Sequence, residues 1–204
     1  MHVSLVGSEM CIRDRPLEVT KIGKSKTTDV GIVHRPGFAE QTDYAGAAAI
    51  KILNFFEEYY GIDYPGSKLD LIAVPDFAMG AMENVGAVTF RETLLLIDVE
   101  KATRSELSRS ISVIAHELAH MWFGDLVTMD WWDGIWLNEA FASLMEVIAS
   151  EATYPEFKLW NEMNQDRSRG FGVDSLKSSR PVEFEVKSPD CLLYTSPSPR
   201  DLRA

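Results

Sequence analysis

ISVIAHELAHMWFGDLVTMDWWDGIWLNEAFASLMEV, residues Ile111–Val147, contains two apolar-periodic stretches joined by a loop rich in Gly and Trp. In the first, His116 and His120 stand four apart, which puts both imidazoles on one helix face and turns Glu117 slightly aside. A zinc dication takes nitrogen and oxygen ligands tetrahedrally, and a catalytic site keeps one position open for water, so three protein ligands are needed. Glu139 can be the third. Gly124 lets the chain leave the first helix, and a second helix is expected from about Ile135 to Ser150. Its buried stripe reads as Leu137, Ala140, Phe141, Leu144 and Ile148, leaving Glu139, Ala142, Ser143 and Glu146 on a different face. A bare HExxH also arises by chance on helix surfaces. Here Ile114, Ala115, Leu118, Met121, Trp122 and Phe123 surround it, so both histidines should be buried, and buried polar rings need partners.

Working outward, Thr103 and Glu106 have capping-box spacing and predict a helix running to Phe123, with Gly124 as its stop. Upstream, Thr42 or Asp43 caps a helix whose apolar stripe includes Ala48, Ile52, Phe55, Phe56 and Tyr59, stopped by Gly61. Leu69–Val74, Gly86–Phe90 and Leu94–Ile97 read as strands of a small sheet. Pro16 to Val33 is β-like and broken by Gly23 and Gly31, as expected for the end of a preceding β-rich domain. After Glu151 a partly helical segment is expected through Trp160, then a polar, Gly-containing stretch to Pro189.

The 204 residues include 46% hydrophobic and 25% charged side chains, the composition of a globular domain able to bury a core. A net charge of -11 argues against the clustered Lys and Arg that a nucleic-acid partner needs. No apolar run approaches the roughly 20 residues of a membrane span. The two ends read differently. One choice of codons for Cys191–Asp201 has a reverse complement that, in a shifted frame, encodes Leu5–Asp14. Two protein termini have no physical reason to share one DNA segment, so residues 1–15 and 191–204 are expected to be adaptor-derived. Without them Lys and Arg fall from 20 to 16 and Asp and Glu from 31 to 28, leaving -12. Both cysteines, Cys11 and Cys191, lie in those ends, so no disulfide framework remains to indicate a redox compartment. No pattern marks a location, and the cytoplasm is the default expectation.

The second constellation is GAMEN, Gly80–Asn84. Together with HELAH and the eighteen residues that separate His120 from Glu139 in WLNEAFAS, it resembles the aminopeptidase N family of gluzincins, which includes leukotriene hydrolase relatives. The resemblance extends over most of Pro16–Asp190, through HRPGF, VTFRE and WFGDLVTMDWWDGIWLNEAFAS. It implies an α+β fold: an incomplete thermolysin-like zinc metallopeptidase catalytic domain over 34–190, with a small β-sheet lobe packed on a helical lobe. By the same resemblance one Zn2+ is bound by His116, His120 and Glu139, and Glu117 is the general base. Zinc lowers the pKa of bound water to about 7, so a carboxylate suffices to take its proton. Glu83 resembles the carboxylate that pairs with the free α-amine of a peptide substrate. An internal peptide offers no ammonium to pair with it. Gly80 and Ala81 lack bulk, so the strand, with Met82 and Asn84, can lie against substrate backbone to backbone. Met79 is expected to line the pocket for the first side chain, with core packing as its bland alternative.

Glu146, two turns after Glu139, is expected to accept from the outer nitrogen of a zinc-bound histidine. Trp131, Trp132 and Trp136 are expected in core and cleft-wall packing, and His34 as an ordinary surface or core histidine. The family's oxyanion-stabilising tyrosine, in a context like SYxKG, is not found here, so this chain alone is expected to be inactive or weakly active. The implied activity is hydrolysis of N-terminal residues from peptides with a free N-terminus. Two rivals stay open: another gluzincin hydrolase, an endopeptidase or epoxide hydrolase, and a zinc-bound but catalytically silent scaffold. Glu117 disfavours the latter, because a structural site needs no base and is usually closed by a fourth protein ligand.

Overall fold

The computed structural model describes residues 16–186 apart from 180 and 184; both ends assigned to adaptor sequence lie outside these. Five strands form one sheet in the order β1-β2-β3-β5-β4: β1 Glu18–Ser25, β2 Thr28–His34, β3 Lys68–Val74, β4 Ala81–Met82 and β5 Ala87–Arg91. β2, β3 and β5 run parallel, and the hairpin partner β1 and the short β4 pair antiparallel at the two edges. The sheet is continuous across Val33, the boundary expected for a preceding domain, because β2 registers Val30 to Leu69 and Ile32 to Leu71 of β3. In the structure the first two strands therefore share a sheet with the GAMEN strand.

Helix α1, Asp43–Tyr60, is the crossover between parallel β2 and β3, and Gly61 ends it at φ 64, the left-handed stop that a glycine allows without a Cβ clash. Its Ala45, Ala48, Ala49, Ile52, Leu53 and Phe56 pack with alternate residues Leu69, Leu71 and Ala73 of β3. The approach to β1 is close: a Cβ on buried Gly46 would lie 2.7 Å from Cγ1, Cγ2 and Cδ1 of Ile22. Buried Glu57 joins α1 to both neighbouring segments, accepting from Ser25 Oγ at 2.9 Å and from the Tyr64 N–H at 3.0 Å.

The expected strand at Leu94–Ile97 is instead a helical turn, α2, Glu92–Leu95, and then coil. Adjacent Leu94 and Leu95 are both buried, and the Leu96 N–H closes the turn on the Glu92 carbonyl at 2.8 Å. Arg35 also holds Glu92 through a two-pronged pair, Nε to Oε2 at 2.9 Å and Nη2 to Oε1 at 3.1 Å. Helix α3, Arg104–Ala119, starts on the anticipated box: Thr103 Oγ1 accepts from the Glu106 N–H at 3.2 Å, and Glu106 accepts from the Thr103 N–H at 2.7 Å. It stops four residues before Phe123, because the Met121 and Trp122 N–H groups turn back to the carbonyls three residues before them.

Helix α4, Ile135–Thr153, overturns the stripe expected for it. Leu137, Ala140 and Phe141 are exposed, and Leu144 and Ile148 only half-buried. The buried positions are Ala142, Met145, Val147, Ala149, Ser150 and Thr153. Ala142 and Ala149 lie on the same face as Glu139 and Glu146, so that face turns inward to α3. Helix α5, Leu159–Asp174, continues well past Trp160, where a polar stretch was expected. Among the described residues no helix is long and apolar enough to cross a membrane.

The Gly46 contact gives a direct test of packing. Gly46→Ala gains helix propensity but forces the stiff, β-branched Ile22 to move, for a net loss of roughly 1–2 kcal/mol. Urea unfolding should show a lower midpoint at unchanged m, and Ile22→Ala should relieve part of it.

Candidate metal centre and peptide-binding strand

Two helices and one edge strand assemble the site. His116 lies in the last turn of α3 and His120 caps its end. Glu139 lies in the second turn of α4. His116 Nε2 is 3.0 Å from His120 Nε2, and Glu139 Oε2 is 3.4 Å from the first and 3.9 Å from the second. Tetrahedral zinc with ligands at about 2.0–2.1 Å sets its donor atoms roughly 3.3 Å apart, so these separations suit one small dication.

The outer nitrogens settle which atoms face inward. His116 Nδ1 donates to Glu146 Oε2 at 3.1 Å, and Ser112 Oγ donates to the other Glu146 oxygen. His120 Nδ1 donates to Asn138 Oδ1 at 2.8 Å and to the Phe123 carbonyl at 3.0 Å. Acceptors at both Nδ1 positions leave each Nε2 with a lone pair in the neutral ring. Two lone pairs and a carboxylate therefore converge, with both histidines buried. Such a donor set repels itself unless a cation lies between the groups, and neutral imidazoles with a carboxylate fit zinc.

Asn138 escaped the sequence reading. Its seat depends on Gly124, where φ is 134 and an added Cβ would lie 2.2 Å from Asn138 Oδ1. A glycine four residues beyond the second histidine, together with an Asn just before the candidate carboxylate, was the available signal. Only the fold shows that they meet.

Glu83, beyond β4, reaches the same space: one ligand atom each of Glu83, Glu117 and His120 lie within 4.8 Å of one another. Glu117 is fully buried. β4 is the edge strand of the sheet, with Ala81 opposite Phe90 and Met82 opposite Thr89. A Cβ at Gly80 would meet no atom within 4 Å, so the space beside Gly80, where the chain enters β4, is open. Asn84 faces back to the sheet, its Nδ2 donating to Thr89 Oγ1 at 3.4 Å. Met79 is 39% exposed beside the strand, not packed in the core. His34 is buried and held by Thr20 Oγ1 and the Arg35 carbonyl, both at 2.7 Å, well apart in the fold on β2. Trp131 departs from expectation: it is 52% exposed, and its indole N–H donates to the Val186 carbonyl. Trp132 and Trp136 are half-buried, and Trp136 lies near the Phe141 ring.

Asp125, just past Gly124, donates its N–H to the His120 carbonyl at 3.0 Å. Burial pushes its carboxyl up to about 6, and the nearby Glu83 charge adds to the rise.

The fold and this donor set define a class: an α/β protein with a candidate metal site beside an edge strand open to an extended ligand. The peptidase family M1 domain matches residues 44–192, and the chain belongs to that family. It is 50% identical over 165 residues to human endoplasmic reticulum aminopeptidase 2, covering 81% of this chain and 17% of that protein. It is 47% identical over 150 residues to Aminopeptidase M1 of Arabidopsis thaliana, covering 74% and 17%. With the puromycin-sensitive aminopeptidase of Caenorhabditis elegans it shares 47% over 156 residues, covering 76% and 16%. The chain thus spans about a sixth of the length of these relatives.

Asp125 generates a pH test. Below about pH 4 the carboxyl is protonated both folded and unfolded; between there and about 6 only the folded state keeps the proton, so stability falls as pH rises through that window. In chelator-treated protein, Asp125→Asn should be more stable than wild type at pH 7 by on the order of 1 kcal/mol after solvent screening, the gain vanishing near pH 4. Thermal melts across that range check it, and a pH-independent difference would contradict burial as the cause.

Proposed function

We propose that the protein of which this chain is a part is a zinc aminopeptidase that removes the N-terminal residue from peptides, on a thermolysin-like catalytic domain. The observation that carries this is the convergence of His116, His120 and Glu139 on one point, within reach of Glu83 and Glu117. The names of its relatives point the same way. The adaptor origin of the two ends belongs to the same proposal.

Held by His116, His120 and Glu139, zinc would supply a Lewis acid that polarises the scissile carbonyl and makes water a nucleophile near neutral pH. The chain's own residues do the rest. Glu117, buried next to His120, takes the proton of the attacking water and passes it to the leaving amine. Glu83 pairs with the substrate's α-ammonium and thereby sets which peptide bond reaches the site. An acetylated N-terminus lacks that charge and leaves Glu83 desolvated without a partner. Backbone pairing along Gly80–Met82 holds the substrate extended at the sheet edge. Met79 lines the pocket for the first side chain. Glu146 and Asn138 fix the two imidazoles with their lone pairs facing inward. The oxyanion-stabilising tyrosine is expected from the longer protein.

Glu83, Glu117 and His120 form a second candidate donor triad, so the metal ligands need a direct assignment. In the full-length protein, Glu139→Gln should lower zinc affinity steeply, while Glu83→Gln and Glu117→Gln keep the metal. Glu117→Gln should cut kcat by at least about 10²-fold, and Glu83→Gln should act mainly on KM. Asn138→Ala and Glu146→Gln should each weaken zinc binding by roughly 10- to 100-fold. Zinc is read by chelator competition and turnover with amino-acid amides. An acetylated amide cleaved as fast as the free one would sink the exopeptidase reading, and zinc retained without any hydrolysis would favour the silent scaffold.

A further inference from the structure

The segment that delivers the GAMEN strand takes an unusual route. β5 has β3 on one side and β4 on the other. Residues 75–80 therefore leave the sheet beside Arg91, which registers with Val74, and re-enter it beside Phe90, which registers with Ala81. The crossing passes over the end of β5, where Arg91 is the last residue.

Arg91 holds that crossing at three points. Its Nε donates to the Phe77 carbonyl at 3.1 Å, its Nη2 to the Ala78 carbonyl at 2.7 Å, and its backbone N–H to the Gly80 carbonyl at 2.8 Å. Met79 is thus the residue between the anchors, fixed on both flanks while its side chain projects 39% exposed. The crossing also carries a strained residue: Asp76 sits at φ 55, a left-handed conformation that a non-glycine keeps only when its surroundings enforce it. The planar guanidinium forks onto two successive carbonyls, a geometry that a lysine ammonium, a single point donor, does not reproduce.

We infer that Arg91 is a positioning residue that determines specificity, holding Met79 and the entry of the GAMEN strand in place and so setting the wall of the pocket for the substrate's first side chain. This rests on the aminopeptidase reading above. The Arg91 guanidinium spends its bonds on the Phe77 and Ala78 carbonyls of the crossing, so its loss should alter substrate selection and leave the chemical step nearly intact. The neighbouring Arg35–Glu92 pair secures the next residue of the chain from the β2 side, so the end of β5 stays fixed when the Arg91 side chain is cut back.

The test uses the full-length protein with Arg91→Lys and Arg91→Met, and Met79→Ala for comparison. Zinc content, hydrogen exchange of the amides of residues 77–82, and kcat and KM for amino-acid amides differing only in the first side chain are measured. Both Arg91 variants should keep zinc and speed exchange across 77–82. KM should rise about tenfold in the lysine variant and further in the methionine variant, with kcat within about threefold of wild type, as loss of charge-assisted bonds to a remote wall would give. Preference between large and small first side chains should shrink in both. Met79→Ala should shift the preference without the faster exchange. Faster exchange with unchanged KM and preference would make Arg91 merely structural and overturn the inference. Exchange that stays slow in Arg91→Met would overturn it too. A wild-type protein that holds zinc but cleaves no amide would instead defeat the aminopeptidase reading, and the exchange result would then decide the clamp alone.

Discussion

Three electron-rich groups forced to face one another, His116 Nε2, His120 Nε2 and the Glu139 carboxylate, set the terms for the rest of this structure. Left alone they repel, and both imidazoles are buried. The fold must therefore hold them against their own electrostatics, and it does so from outside: Glu146 and Ser112 fix one ring, and Asn138 with the Phe123 carbonyl fixes the other. Every one of these outer partners comes from α3, α4 or the turn between them. A loosened α3–α4 contact would thus change ring tautomer and orientation before it exposed any core.

That dependence explains why small residues line the contact. Ala115 and Ala119 on α3, with Ala142 and Ala149 on α4, are fully buried and bring no bulk. Close helix approach is what allows a carboxylate on one helix to reach an imidazole on the other. The larger apolar residues of α4, Leu137 and Phe141, are displaced outward, where Phe141 stacks on Phe123 at 5.0 Å. Hydrophobicity alone ranks them as the core stripe; the geometry of the donor set reverses that order.

What was legible in the sequence was local. The capping box at Thr103, the stop at Gly61 and the strand at Leu69 each depend on residues within a turn or two, and each appears where it was read. The misreadings share the opposite property. The turn at Glu92 to Leu95 is held at its start by Arg35, 57 residues away. The face of α4 is likewise set by α3, whose Ser112 and His116 both bond Glu146. Asn138 and Arg91 were silent for the same reason: an amide and a guanidinium acquire meaning only from the carbonyls or rings that folding brings to them.

Sheet topology gives the metal site its second half. Parallel β3 and β5 are adjacent, so the chain between them cannot be a tight hairpin; it must cross the end of β5 and come back. The return leg is β4, and because it comes last in the strand order it lies at an edge, the one place where an extended peptide can add to a sheet. The same crossing carries Glu83 to within 4.8 Å of Glu117 and His120. A carboxylate suited to an ammonium and a helix pair suited to a dication thus meet at a fixed separation, because one is at the open edge of the sheet and the other on helices packed beneath it. On the proposed aminopeptidase reading, that separation, more than any single side chain, is what makes the site count one residue from the end of a chain.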